Sequence, residues 1–249
     1  MSEGALAGRV ALVTGATRGI GLAIVERFAR AGARLAVTSD EAAAVDALAA
    51  RLPGAVGIAG DIADPATARQ AVDRALDAFG RIDILVSNAG ITGRAGTWDL
   101  ADFDRVMAVN LRGAVALCDR ALPVMAAGGG GSAVLMASLS ALRGNGAINA
   151  YALSKAGLAQ LARNLAVQWG PRGIRVNALA PGFIDTGFSA PLMADAAFMA
   201  KRLAMTPLRR VGTADEVAAA CAWLAGEGAG FVTGQTIAVD GGTSITDGS

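Results

Sequence analysis

The chain has 249 residues, no histidine and a single tyrosine, so any proton transfer falls to Tyr, Lys, Asp, Glu or Cys. That tyrosine, Tyr151, is followed four residues later by Lys155. On a helix, positions i and i+4 share a face with Cβ atoms about 5–6 Å apart, so both side chains address one small volume. An unperturbed phenol has a pKa near ~10, too high for a good general base at neutral pH, and a nearby ammonium favours the phenolate. The spacing therefore predicts a tyrosine of lowered pKa that exchanges a proton with a substrate oxygen. The lack of histidine excludes a Ser-His-Asp hydrolase and a His-ligated zinc site, and no metal is expected.

A second feature bears on phosphate. Val13-Thr14-Gly15-Ala16-Thr17-Arg18-Gly19-Ile20-Gly21 carries an apolar strand into a glycine turn and then a helix with an apolar face. Glycines let the backbone approach a pyrophosphate, and the helix N-terminus offers free N–H groups and a partial positive charge. This predicts a nucleotide cofactor on the first turn.

The elements that must position these groups are legible as alternating units. Strands are predicted at Val10–Thr14, Arg34–Thr38, Ala55–Ala59, Ile82–Asn88, Ala133–Ala137, Arg175–Ala180 and Thr236–Val239. They are continuously apolar, as strands of a parallel sheet covered on both faces are. Helices are predicted at Gly21–Ala31, Glu41–Arg51, Pro65–Phe79, Asp102–Ala126, Ala150–Trp169 and Ala214–Ala225. Asp64-Pro65 reads as an N-cap before an N1 proline, and Thr213-Ala-Asp-Glu216 as a capping box. The pattern implies an α/β Rossmann fold, a doubly wound, mainly parallel seven-stranded sheet with helices on both faces, in one domain spanning residues 1–249. The stretch Phe183–Pro207 has little strand character and reads as a substrate lid.

Hydrophobic residues make up 53% of the chain and charged residues 17%, enough for a buried core and unlike a disordered chain. A net charge of +1 without a basic run gives no reason to expect a nucleic-acid partner. Cys118 and Cys221 lie far apart in apolar patterns and are read as buried thiols. Met1–Gly8 has no signal-peptide pattern and no stretch approaches the ~18 apolar residues of a membrane span, so a cytoplasmic enzyme is expected.

With the glycine turn spaced G-x-x-x-G-x-G and the Tyr151-x-x-x-Lys155 pair, the chain resembles the short-chain dehydrogenase/reductase family from Gly8 to about Gly242. The other shared motifs occur in order: Asp61, Ser87-Asn88-Ala89-Gly90, Asn110, Ser138 and Pro181-Gly182. The resemblance implies an oxidoreductase that transfers a hydride between NAD(P) and a carbonyl or alcohol. It implies that Tyr151 is the proton donor, that Ser138 bonds the substrate oxygen, and that Lys155 lowers the Tyr151 pKa and bonds the nicotinamide ribose. Asn110 would help hold a water linking Lys155 to solvent. Around the cofactor it implies Thr14, Gly15, Thr17, Arg18, Gly19, Ile20 and Gly21 at the pyrophosphate and adjoining ribose, and Asp61 and Ile62 at the adenine. Asn88, Ala89 and Gly90 would lie beside the adenosine ribose, and Ile184 and Thr186, after Pro181 and Gly182, at the nicotinamide carboxamide. Ser39 stands where NAD-preferring relatives usually carry Asp, and Asp40 where NADP-preferring relatives often carry Arg. Asp40 should repel a 2′-phosphate whereas Arg18 could attract one, and the balance leans to NAD(H) over NADP(H).

The expected pocket walls are Ile91–Arg94, Leu139–Asn149 and Phe183–Met205, suiting a partly apolar ketone or secondary alcohol, and Arg94 or Arg143 could bind a substrate carboxylate. Within the family the chain looks most like the β-ketoacyl-carrier-protein reductase type. The uncharged stretch Ala127-Gly128-Gly129-Gly130-Gly131-Ser132, where those enzymes usually carry basic residues, favours a stand-alone alcohol dehydrogenase or ketoreductase. A non-catalytic nucleotide sensor on the same fold is the alternative from another class. The Ala-rich helices Asp102–Ala126 and Ala150–Trp169 carry more apolar surface than one core-facing stripe requires, and relatives bury such faces between subunits, so a homotetramer is expected.

Overall fold

The computed structural model describes residues 4–246. The chain runs β1 (Val10–Thr14), α1 (Gly19–Arg30), β2 (Arg34–Ser39), α2 (Ala42–Arg51), β3 (Val56–Ala59), α3 (Pro65–Phe79) and β4 (Ile84–Ser87). It continues through α4 (Leu100–Met107), α5 (Gly113–Ala127), β5 (Gly131–Met136), α6 (Asn149–Trp169) and β6 (Ile174–Pro181). A short bridge β7 (Ile184–Asp185) leads to α7 (Ala190–Met193) and α8 (Ala196–Ala204), and β8 (Gly212–Thr213), α9 (Ala214–Ala225) and β9 (Thr236–Val239) complete the fold.

The large sheet has the order β3-β2-β1-β4-β5-β6-β9, and every neighbouring pair is parallel. Its strands are apolar throughout because successive side chains feed two different cores. Leu12, Leu85, Leu135 and Val176 face the layer of α3, α5 and α6, while Ala11, Val13, Val86 and Val134 face α1 and α9. This is the doubly wound Rossmann arrangement expected from the sequence. Strand order reverses between β1 and β4, and ligands of such sheets bind outside the strand ends at that point. The predicted caps hold: Asp64 accepts from the Ala66 N–H at 2.8 Å, and Thr213 and Glu216 form the capping box.

Three elements differ from expectation. The helix predicted over Asp102–Ala126 is two helices joined by a π-turn, Ala108–Arg112. A π-turn inserts a residue into the helical ladder and re-aims its side chains, and here it carries Asn110. The strand predicted to reach Asn88 stops at Ser87, because the Asn88 backbone and amide turn onto β1 and the residue after it. The stretch 183–207 does contain a strand, since Ile184 and Asp185 pair with Gly212 and Thr213, and two short helices follow it.

Candidate active site

The glycine turn is set by close approach. Gly15 and Gly19 adopt φ of 61° and 55°, where a side chain is strained. A Cβ on Gly15 would lie 2.8 Å from the Ala89 Cα, and one on Gly21 would meet the Asn88 amide at 2.6 Å and overlap the Gly15 carbonyl oxygen. Asn88 occupies the space the glycines leave, its amide donating to the carbonyls of Thr14 and Gly15, each at 3.0 Å. Thr14 answers by accepting from the N–H groups of Asn88 and Ala89 at 3.0 and 3.1 Å. β1 and β4 are thus clamped together at the switch point, and Asn88 serves as the brace. The N-terminus of α1 begins there with Arg18 in extended conformation and no side-chain cap. The cradle of small residues and the uncapped helix end fit a dinucleotide pyrophosphate.

Around this turn, Thr17 donates to Ser39 at 3.0 Å and Ser39 to Asp40 at 3.2 Å. Arg18 pairs with Glu41, an exposed partner the sequence did not single out, rather than with Asp40. Asp61 accepts from the Ala63 N–H at 2.9 Å and pairs with Arg105 at 2.8 Å. Ile62 is buried in the core, so only its backbone can face a base. On the other side, Thr186 lies over Gly19, with its Cγ2 3.6 Å from where a Cβ would stand, and Gly182 packs tightly against Asp240. Pro181 ends β6 opposite Val239, and Ile184 is buried. The two halves of the predicted cofactor site, Gly15–Gly21 and Pro181–Thr186, therefore meet at the strand ends.

Tyr151 and Lys155 lie in the first two turns of α6, with the Lys155 Nζ 5.5 Å from the Tyr151 ring centre. Lys155 is buried, pairs with no carboxylate among the described residues, and donates to the Met136 carbonyl at 2.6 Å. Burial holds its pKa down at about 8. The Tyr151 pKa is raised, the reverse of the expectation from spacing. Burial penalises the phenolate, and the Ser138 hydroxyl facing it only partly offsets that. A protonated phenol at neutral pH is the form that donates a proton. Ser138 lies two residues past the end of β5, where it caps the turn Leu139–Ala141, accepts from the Ser140 N–H at 3.2 Å, and is buried.

Asn110 is buried within the π-turn and makes three bonds. Its Oδ1 accepts from the Ile91 N–H at 2.8 Å, and its Nδ2 donates to the Ile91 carbonyl and to Ser154 Oγ, both at 2.9 Å. Ser154, missed from the sequence, passes the chain on by donating to the Tyr151 carbonyl at 2.7 Å. Its only sequence signal is its place inside the Tyr-x-x-x-Lys segment. Gly90 leaves this space open, since a Cβ there would lie 3.2 Å from the Lys155 Nζ. All four predicted catalytic side chains therefore converge on one place beside the glycine cradle.

The stretch 183–207, read from the sequence as a lid, supplies the remaining wall. Phe188 stands against Tyr151, ring centres 6.1 Å apart, and Phe183 packs on Phe198 at 5.6 Å. Arg94 pairs with Asp99 at 2.8 Å, whereas Arg143 among the described residues bonds the Thr243 carbonyl, at 3.2 Å. A cleft of ≈ 460 Å³ lies between Phe183, Thr206–Leu208 and Ala238–Gly242; it borders the base of the lid, and Ser138, Tyr151 and Lys155 do not line it. Cys118 and Cys221 are buried and free, and burial raises the Cys118 thiol to about 12. Among the described residues no cluster of His, Cys, Asp or Glu could hold a metal, and no helix is long and apolar enough to cross a membrane.

A doubly wound sheet with a glycine cradle at its switch point and a Tyr-Lys-Ser-Asn cluster beside it defines a dinucleotide-dependent redox enzyme. A family model described as enoyl-(acyl carrier protein) reductase matches residues 15–244. A short-chain type dehydrogenase/reductase of Sinorhizobium fredii is 40% identical, over 96% of this chain and 99% of its own length. The cis-4-hydroxycyclohexanecarboxylate dehydrogenase of Sinomonas cyclohexanicum is 41% identical over 96% of this chain and 97% of that one. The crystal structure of a gluconate 5-dehydrogenase from Burkholderia cenocepacia, in complex with NADP and tartrate, superposes with a TM-score of 0.93 at 35% identity, covering 97% of each chain. The chain belongs to the short-chain dehydrogenase/reductase family. It is an NAD(P)-dependent oxidoreductase that interconverts an alcohol and a carbonyl compound.

Proposed function

We propose that the protein interconverts a ketone and a secondary alcohol, with Tyr151 exchanging the proton. One observation carries this reading: Tyr151 faces Ser138 and lies beside a buried Lys155 that has no carboxylate partner among the described residues, at the edge of the glycine cradle. The residues at Thr14–Gly21, Ser39–Asp40, Asp61–Ile62, Asn88–Gly90 and Pro181–Thr186 hold the dinucleotide. Bound NAD(P) supplies or accepts the hydride exchanged with the substrate carbon. Tyr151 Oη gives its proton to the developing alkoxide, and Ser138 Oγ donates a hydrogen bond to the same oxygen. The Lys155 charge stabilises the phenolate left behind. Asn110 fixes the Ile91 loop against Ser154, so the wall of the site and the backbone carrying Tyr151 hold one register. Phe188 and the lid at about 183–207 keep water from the reacting atoms. Oxidation runs these steps in reverse.

At the end of β2, Asp40 and Glu41 outnumber Arg18, which supports NAD(H) as the preferred cofactor, although the solved relative holds NADP. The glycine turn of residues 128–131 between α5 and β5 offers no charge to an acidic carrier protein, which favours a free small molecule over a carrier-bound acyl chain. A homotetramer of one dinucleotide-binding unit per chain, in the cytoplasm where buried free thiols persist, completes the reading. The test is absorbance at 340 nm with NADH and NADPH against a panel of ketones. Turnover with NADH preferred supports the proposal; cofactor binding without turnover of any ketone or alcohol overturns it in favour of a nucleotide sensor.

A further inference from the structure

The arginines around the lid differ in what they are bonded to. Arg94 pairs with Asp99 at 2.8 Å and Arg210 with Glu216 at 2.5 Å. Arg202, on α8, has no carboxylate within ion-pair distance among the described residues, and its Nε is buried without any acceptor. Its guanidinium stacks over the Phe183 ring at 5.4 Å. The charged groups that act on it are Arg143, of like sign, and Asp240. Asp240 is already engaged: one carboxylate oxygen accepts from the Gly242 N–H at 2.9 Å and the other from the Ser244 N–H at 2.6 Å. Two guanidiniums thus share a partly buried place with one committed carboxylate. A buried donor with no acceptor is costly, and like charges in proximity raise that cost unless an anion joins them.

The position of this pair is significant. Arg143 follows Ser138 by five residues, in the loop that leads to Tyr151, and Phe183 follows Pro181-Gly182 directly. We infer that Arg202 and Arg143 form an anion subsite, and that the substrate is an oxo acid or hydroxy acid whose carboxylate docks there while its carbonyl or hydroxyl carbon reaches Ser138 and Tyr151. Guanidinium matches carboxylate because its planar fork donates two parallel N–H bonds, and the Arg202 Nε lies on such an edge. This assignment rests on the oxidoreductase reading above and narrows it to anionic substrates.

The experiment compares levulinate and 4-oxocyclohexanecarboxylate with their methyl esters, which keep the ketone and lose the charge. The acids should exceed the esters at least ~10-fold in kcat/KM, the size of a lost charge-assisted hydrogen bond. Arg202→Gln should lower kcat/KM for the acids by about 10–100-fold, mainly through KM, and leave the esters within about twofold. Arg143→Gln should act in the same direction. Esters turned over as well as acids by the unaltered protein, or an Arg202→Gln loss shared equally by both, overturns the subsite while leaving the oxidoreductase reading intact. Calorimetric titration of the unaltered protein with cyclohexanecarboxylate and cyclohexanecarboxamide, cofactor present, tests the subsite without turnover and without a variant that must fold. Tighter binding of the carboxylate supports it, and equal affinity sinks it.

Discussion

Lys155 is a cation kept in a place that disfavours its charge. Its pKa is lowered to about 8 from an ordinary 10.5, by burial alone. Below pH 8 the folded protein holds a buried ammonium that the unfolded chain would hydrate, at a cost of at most about 3–4 kcal/mol. That cost fades as pH rises from the folded value toward the unfolded one. Lys155→Met should therefore stabilise the fold by about 1–2 kcal/mol at pH 7, after losing roughly 1 kcal/mol for the bond to the Met136 carbonyl. The gain should disappear by about pH 10.5. Urea unfolding of both proteins at pH 7 and pH 10 measures this, and a variant equally destabilised at both contradicts it. The candidate residues were visible as a Tyr151/Lys155 pair on one helix face and, for Ser138 and Asn110, only through the family resemblance, and the structure brings the four together. The Tyr151 pKa direction was not visible, because burial depends on what the lid and β5 place around the ring. Ser154, Glu41 and Arg202 were not either, since their roles come from partners distant in sequence.

At the scale of elements, the glycine turn and β4 form one interlocked unit, and its three glycines are not equivalent. Gly19 needs φ of 55° but leaves 3.6 Å to Thr186, so Gly19→Ala carries a backbone penalty of about 1–2 kcal/mol. At Gly21 a methyl meets the Asn88 amide at 2.6 Å and the Gly15 carbonyl. Gly21→Ala should lower stability by about 3 kcal/mol or more, near the upper end for overpacking, and weaken NADH binding more than Gly19→Ala does. Thermal melts and NADH fluorescence titrations of the two variants give the ranking, and the reverse order would show that the Asn88 clamp is not what the turn depends on. The β-α alternation, the caps at Asp64 and Thr213, and the strand cores could be read from apolar runs and cap residues. The π-turn at Ala108–Arg112 could not, because one extra residue in a helical ladder leaves no mark in an apolar pattern; the poorly helix-forming Asn110 was its only trace.

For the whole molecule, the helices that carry the site also present apolar groups outward. Val167 on α6 is 81% exposed, and Val115 and Leu153 on α5 and α6 are exposed as well. A second group, Trp223 and Phe231, lies about α9 and the approach to β9. If each patch met its own copy in a second subunit, the two contacts would generate the dihedral tetramer proposed above. Light scattering at micromolar concentration should report about four times the 24.8 kDa chain mass. Val167→Asp should shift that mass toward the dimer, and a monomer in the unaltered protein contradicts the assembly. The excess of apolar residues on long Ala-rich helices was visible in the sequence, because a helix needs only one stripe to meet its own core.

The central claim, that Tyr151 transfers the proton, is tested most directly by steady-state turnover of Tyr151→Phe with a working ketone. The substitution removes one hydroxyl and leaves the ring against Phe188. We expect kcat to fall by at least ~100-fold, the low end for general acid–base catalysis, with the melting curve and NADH affinity close to those of the unaltered protein. A variant that keeps near-normal turnover contradicts the account.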